Sequence, residues 1–326
     1  MASILCGVDL GGSKLGVGLV SESGAIVDEV LDHDHVTHSP DEIVEDMAEH
    51  IGELLGRNGY STADLEGIGV GTAGHIRHRD GVVITMSNLD GWKSYPLRER
   101  LSRHFEGIPV HVDNDANAQA LGEYLHCAGG GYRSLVFITI STQIGAGLVF
   151  DGHLLRGRTG TAGEIGHTIV EASSRETCPC GNRGCLIAHA SGVAIPGAVR
   201  RALGRGTRSA LVDESSVGSM RLDGEFIAGG LAAGDPLCTE IMEEFAHYIG
   251  IGVYNVFQLL NPEAVVLGGG IMHWGPVFLD AIKREVRSLA RDMMYEELAI
   301  LPSGCESPGI VGAASLVLEA AGRLPL

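Results

Sequence analysis

No stretch of this chain approaches the roughly 20 consecutive apolar residues that a membrane-spanning helix needs, so a helical membrane anchor is excluded. The N-terminal run MASILCGVDLGGSK also lacks a basic segment followed by a long apolar run, and no secretory leader is expected. Basic residues are scarce: 23 Lys and Arg stand against 41 Asp and Glu, a net charge of −18. Nucleic-acid backbones are held by clustered Lys and Arg, so a nucleic-acid partner is not expected. Regular cysteine spacing is missing outside one segment. Of seven cysteines, Cys6, Cys127, Cys238 and Cys305 are scattered, which suits reduced, mostly buried thiols in a cytoplasmic protein. The acidic balance leaves small anions open as ligands, because backbone amides at glycine turns and helix starts bind phosphate whatever the side-chain charge.

The other three cysteines stand together with a histidine in GHTIVEASSRETCPCGNRGC. His167, Cys178, Cys180 and Cys185 supply a complete tetrahedral zinc set. Gly181 and Gly184 sit where the loop must fold back with positive φ, so that both flanking sulfurs face one ion. A site with four protein ligands has no position left for a substrate, and the ion is expected to be structural. A disulfide or merely reduced thiols is the alternative.

With 326 residues, 44% of them hydrophobic, the chain can bury a substantial core, and two lobes are expected. ILCGVDL, LGVGLVS and AIVDEVLD, separated by glycine turns, predict an antiparallel meander. A helix is predicted over residues 40–58, with Ile43, Met47, Ile51 and Leu54 at helical spacing. EGIGVGTAG and IPVHVDND follow as parallel-strand candidates, the second running directly into the helix ANAQALGEYLHCA. Asn114 and Asp115 therefore fall at a strand-to-helix junction, where open α/β sheets hold ligands. A second meander (SLVFITI, STQIGAG, LVFDG) suggests a duplicated lobe. Beyond it come a polar loop over 204–221, a long helix from Asp235 to Leu260, the strand AVVLGGG, a helix over 276–290, the strand LAILPS and a final helix. That final helix is expected to pack back on the first lobe. The lobes are drawn as 1–116 completed by 309–326, and 117–308 carrying the metal loop 167–185.

Three glycine turns each follow a predicted strand: Gly11-Gly12-Ser13-Lys14, Gly145-Ala146-Gly147 and Gly268-Gly269-Gly270. Glycine lets backbone N–H groups approach phosphate oxygens, and Ser13, Lys14 and Thr142 add side-chain donors. With Asp9 beside the first turn as a water-mediated Mg²⁺ ligand, the set points to ATP. Asp115 is the candidate general base for an attacking alcohol; its plainer reading is a helix cap. Asn88, Asn114 and Glu164 are candidates for sugar hydroxyls, with turn formation the alternative for Asn88.

DLGGSK, GVGTAG, SNLDGW, VDNDANAQALGE, GTAGEIGH with CPCGNRGC, and VVLGGG, in that order, resemble the ROK family of sugar kinases and sugar-responsive repressors within the actin-like ATPase superfamily. The resemblance runs nearly end to end. It implies a two-lobed actin-like ATPase fold, of ribonuclease H-like α/β class, with a ligand cleft between the lobes. It also implies phosphoryl transfer from Mg-ATP to a sugar hydroxyl, often the 6-hydroxyl of a hexose. By position it assigns Asp115 as base and Asn88, Asn114, Glu164 and His167 to the sugar. His167 also joins the zinc set, and a homodimer is common among members. GIGVYNVFQLL reads equally as a dimer face or as a helix buried in its own lobe.

Two positions depart from the family pattern. Where glucokinase-like members read GCLE, this chain has Ile187, which accepts no hydrogen bond. Either His189 takes over, or the ring is less hydroxylated, or C1 or C2 carries a different substituent. An unpaired hydroxyl there costs about 1–3 kcal/mol, which weakens the expectation of ordinary glucose. In the second turn Gln143 replaces a glycine. The leading expectation is a sugar kinase. A catalytically silent sugar sensor is the alternative, and a repressor is disfavoured because the first strand opens at Ile4.

Overall fold

The computed structural model describes residues 3–86, 89–128, 130–213, 215–290 and 297–324. The chain divides into two units. The first comprises Met1–Phe137, Gly147–Gly163 and Ser303–Leu326, and the second Ile138–Ala146 and Glu164–Pro302.

The first unit opens with β1 (Ile4–Leu10), β2 (Leu15–Ser21) and β3 (Ile26–Asp32), the predicted antiparallel meander. Helix α1 (Pro40–Arg57) follows. It starts where Ser39 and Glu42 form a reciprocal capping box ahead of Pro40, which satisfies two of the amides a helix start leaves open. Its stripe of Ile43, Met47, Ile51 and Leu54 is fully buried. Next come β4 (Leu65–Thr72), a small sheet of β5 (His75–Arg77), β6 (Val82–Thr85) and β7 (Lys93–Tyr95), then α2 (Leu97–Ser102), β8 (Val110–Asn114) and α3 (Asp115–His126). The main sheet runs β3-β2-β1-β4-β8, with β1, β4 and β8 parallel.

Strands β9 (Ser134–Ile140), β10 (Ile144–Phe150) and β11 (His153–Leu154) form the second meander. Short helices α4 (Leu186–Ala190), α5 (Ile195–Gly204) and α6 (Gly224–Ala232) precede the long α7 (Pro236–Leu260). Asp235 caps α7, and Asn261 ends it in the left-handed conformation at φ 46°. β12 (Ala264–Gly268), α8 (Pro276–Ala290), β13 (Ala299–Pro302) and α9 (Pro308–Ala320) complete the chain. The second five-stranded sheet has the order β11-β10-β9-β12-β13.

Helix α9 belongs to the first unit and lies against β1, β4 and α3, as its small-residue face predicts. The approach is close because glycine lines the sheet: a Cβ on Gly69 would overlap the backbone carbonyl of Ala313. Gly69→Ala is therefore expected to cost about 3 kcal/mol, the upper end for over-packing a core. Gly52→Ala, on the exposed side of α1 with open space around it, should stabilise by up to about 1 kcal/mol. Urea midpoints of the two variants check the pair, and equal shifts would refute the packing account.

One cysteine expectation is corrected. Cys127 and Cys305, read as scattered reduced thiols, form a disulfide across 178 residues, with Cα atoms 5.5 Å apart. Fully buried Glu123 gathers the two segments. Its carboxylate accepts from Ala128 N (3.1 Å), Gly304 N (3.3 Å) and the Ser303 hydroxyl. Such a pairing rests on tertiary contacts and leaves no trace in spacing. Cys6 and Cys238 are free and buried, as expected.

Candidate functional site

In the first unit, register sets the geometry. Asp9 of β1 lies opposite Gly71 of β4, and Gly71 opposite Asp113 of β8; Leu10, Thr72 and Asn114 align in the next row. The carboxyl ends of three parallel strands thus form one edge, and Asp9 and Asp113, two strands apart, are separated by about 10 Å. Residues 11–14 close the β1–β2 hairpin through a 2.9 Å bond from Gly11 N to Lys14 O. Lys14 Nζ stands 3.6 Å from the Asp9 carboxylate. Burial pushes the Asp9 carboxyl above its ordinary range, and the Lys14 ammonium pulls against that rise.

Two residues that the sequence reading missed brace this turn. His35, fully buried, holds Gly11 O through Nε2 at 3.0 Å, and His33 Nδ1 lies 3.0 Å from Ser13 O. With its carbonyls engaged from behind, the turn keeps a fixed shape. The run DHDH over residues 32–35 was the available signal, but nothing in it says which backbone it would brace.

At the β8–α3 junction, Asn114 is the N-cap: its side-chain oxygen accepts from Ala116 N at 2.9 Å, and its amide donates to Gly74 O at 3.1 Å. Asp115 is the first residue of α3, and its Oδ1 also lies 2.9 Å from Ala116 N. Behind them, Asp113 accepts from Asn114 N (2.7 Å) and Asn117 Nδ2 (3.0 Å). Asn88 lies outside the described residues.

In the second unit the Gly268–Gly270 turn lies against the end of β9. Gly269, at φ 91°, packs so tightly on the end of β9 that a Cβ would overlap the Ile140 backbone. The turn at 141–143 is tied to Gly192 and Val193, whose amides donate to Ser141 O (2.7 Å) and Thr142 O (3.2 Å). Thr142 is exposed and Gly145 half-buried within β10. Gln143 contributes its backbone carbonyl to the turn, accepting from Ser141 N at 2.9 Å.

The four predicted metal ligands converge. The ligand atoms of His167, Cys178, Cys180 and Cys185 all lie within 4.8 Å of one another. Cys180 and Cys185 sulfurs are 3.9 Å apart, close to the roughly 3.8 Å tetrahedral edge that Zn–S bonds of about 2.3 Å imply. His167 turns Nδ1 toward Cys178 at 3.4 Å and Nε2 toward Glu164 at 3.9 Å, so one ring faces the thiols and the carboxylate at once. Gly181 and Gly184 have the expected positive φ, 89° and 73°. Four such donors could hold one divalent ion.

The environment of Ile187 is apolar. It is buried and fills the space over Gly166, next to His167. His189 is buried too, 4% exposed, stacked on Tyr248 at 4.2 Å, with Nε2 lacking a hydrogen-bond partner among the described residues. Burial holds its pKa below the ordinary histidine value, so the ring is neutral near pH 7.

The chain is similar to proteins of related activity. It is 33% identical to a glucokinase of Thermotoga maritima over 322 residues, covering 98% of each chain. A xylose repressor of Caldicellulosiruptor bescii is 27% identical, with 97% of this chain and 78% of the repressor covered. The solved ROK family glucokinase of Streptomyces griseus in complex with glucose and AMPPNP superimposes with a TM-score of 0.80 at 31% identity, covering 96% of this chain and 99% of that one. The model of the ROK family matches residues 5–320, and this chain belongs to that family.

Proposed function

We propose that this protein is an ATP-dependent sugar kinase in which Asp115 takes the proton of the attacking hydroxyl, most simply the 6-hydroxyl of a hexose or hexose derivative. Membership of the family, with a glucokinase at 33% identity over the whole length, carries the reading. The site chemistry agrees with it. A carboxylate at the carboxyl edge of a parallel sheet is suited to general-base work, and phosphoryl transfer otherwise needs positioning and charge neutralisation. Gly11, Gly12, Ser13, Lys14, Thr142, Gly145 and Gly268–Gly270 bind the nucleotide phosphates, and Asp9 holds the Mg²⁺ of ATP through water.

Asn88, Asn114, Glu164 and His167 hold sugar hydroxyls. His167 and its three cysteines fit a structural zinc, which when bound neutralises the thiolates and fixes the loop. With Nδ1 directed to the thiol cluster, His167 keeps an Nε2–H for a hydroxyl or for Glu164. His189 is the one polar side chain of α4, and its unpaired Nε2 is the group available to replace the acid absent at Ile187.

The test is ADP release from Mg-ATP across hexoses, 2-amino and N-acetyl hexosamines, fructose and deoxy sugars. One sugar is expected to exceed the rest by at least tenfold in kcat/KM, and the ring position it lacks or substitutes identifies what Ile187 selects. ADP release with no sugar, including those that bind, would overturn the kinase in favour of a sensor.

A further inference from the structure

The β2–β3 hairpin delivers two imidazoles to the first glycine turn. Leu15, the residue after the turn, pairs with Asp32 at the end of β3, so the chain leaves that strand beside residues 11–14. Asp32 Oδ1 accepts Asp34 N at 2.7 Å and bends the chain into the 3₁₀ turn Asp34–Thr37, which carries His35 inward. His33 stays exposed and reaches Ser13 O through Nδ1 at 3.0 Å.

The polar bonding of the His35 ring goes to the turn alone. The residue is fully buried, Nε2 lies 3.0 Å from Gly11 O, and Nδ1 has no hydrogen-bond partner among the described residues. A carbonyl oxygen only accepts, so Nε2 carries the hydrogen. Burying an imidazole with one nitrogen unpaired opposes folding, and an apolar side chain of similar size would fill the same space without that cost. The apolar side chain could not hold Gly11 O.

A held carbonyl also directs an amide. In a trans peptide unit the C=O and the N–H point in opposite directions, and none of the described peptide bonds is cis. Fixing Gly11 O toward His35 therefore turns the Gly12 N–H away from that ring. Fixing Ser13 O toward His33 does the same for the Lys14 N–H. Gly11 N is used by Lys14 O at 2.9 Å, whereas neither the Gly12 nor the Lys14 amide donates to another of the described residues. Two half-buried backbone donors are thus aimed to the side of the turn opposite the histidines.

We infer that His35 and His33 are positioning residues for the nucleotide: by gripping two carbonyls they present the Gly12 and Lys14 amides to the phosphates of Mg-ATP. The inference rests on the proposed role of this turn in ATP binding. Neither histidine needs to touch the nucleotide, and both act on phosphate affinity rather than on the sugar or on proton transfer to Asp115.

The experiment is calorimetric titration of the full chain with a non-hydrolysable Mg-ATP analogue, a readout that needs no turnover. His35→Asn, whose amide nitrogen stops at the position of Nδ1, should weaken binding about tenfold, the worth of one hydrogen bond. His35→Gln, whose amide nitrogen extends to the position of Nε2, should stay within about threefold of the unaltered chain. His33→Ala changes an exposed side chain and folds whatever the fate of the buried variants; it should weaken binding about threefold, since water can replace part of an exposed bond. In steady-state turnover His35→Asn should raise KM for Mg-ATP about tenfold and leave KM for the sugar within about twofold, a split that general loosening would not give. Equal affinity of His35→Asn and His35→Gln for the analogue, unchanged affinity in His33→Ala, or a loss shared equally by ATP and sugar overturns the inference. Lys14→Ala separates it from the reading beneath it. If Lys14→Ala weakens the analogue and His35→Asn does not, only the role of the histidines falls; if neither does, the turn is no phosphate site and both fall.

Discussion

Asp115→Asn is expected to lower kcat for sugar phosphorylation by about 10³-fold, within the range that a positioned general base contributes, while sugar affinity changes less than threefold. The geometry makes this substitution unusually clean. Asn114 already caps α3 through a 2.9 Å bond to Ala116 N, and an Asn at 115 keeps a side-chain oxygen for the same amide. The helix start therefore survives, and only the capacity to take a proton is lost. Asn114→Ala gives the contrasting result. It removes the cap, with a stability cost of about 1 kcal/mol, and releases the bond to Gly74 O, so its main kinetic effect falls on KM. Steady-state ADP release and a direct sugar-binding measurement separate the two. Asp115→Asn turnover within threefold of the unaltered protein would leave Asp115 as a cap and nothing more.

The elements that proved legible in the sequence share a local cause. Strands β1 to β3 are apolar runs punctuated by glycine. α1 carries its stripe and its capping box in consecutive residues, and the cluster of one histidine and three cysteines declares itself by spacing within one loop. The β8–α3 junction was equally readable, since VDND is followed at once by a helical pattern. What escaped is either too short to show a pattern or depends on residues far apart in the chain. The β5–β7 sheet consists of strands of three or four residues, too short for periodicity to register. The Cys127–Cys305 disulfide needs Glu123 to draw residues 303 and 304 to the end of α3. The Arg156–Asp113–Glu319 network includes a bond between residues 163 positions apart, Arg156 to Glu319. Ile187 was noticed as a departure, but only the structure shows it filling the space over Gly166, which makes an apolar surface beside His167 a built feature of the second unit.

The second large effect concerns the metal. Protein purified without chelator is expected to carry one zinc per chain, and Cys185→Ser to lose it. Cys185 is fully buried, and its backbone pairs with Ile169, two residues beyond His167, so the last ligand of the set is tied to the segment that carries the first. Without the ion, three thiols and an imidazole at 3.4 to 3.9 Å have nothing to draw them together. At neutral pH a structural zinc contributes folding free energy directly. Its removal should free the segment 167–185, which has little regular structure beyond two isolated bridges and a single 3₁₀ turn. Glu164 and His167 then lose their fixed orientation. Sugar affinity should fall by about 10–100-fold, as when groups that orient a bound ligand's partners are lost. Protease nicking within 168–184 should appear at the same time. Cys238→Ser is the control: the thiol is equally buried but stands apart from the cluster, so it should lower stability without changing zinc content. Unaltered protein free of zinc, or metal-free protein that binds sugar as tightly as before, would remove the ion from the binding mechanism.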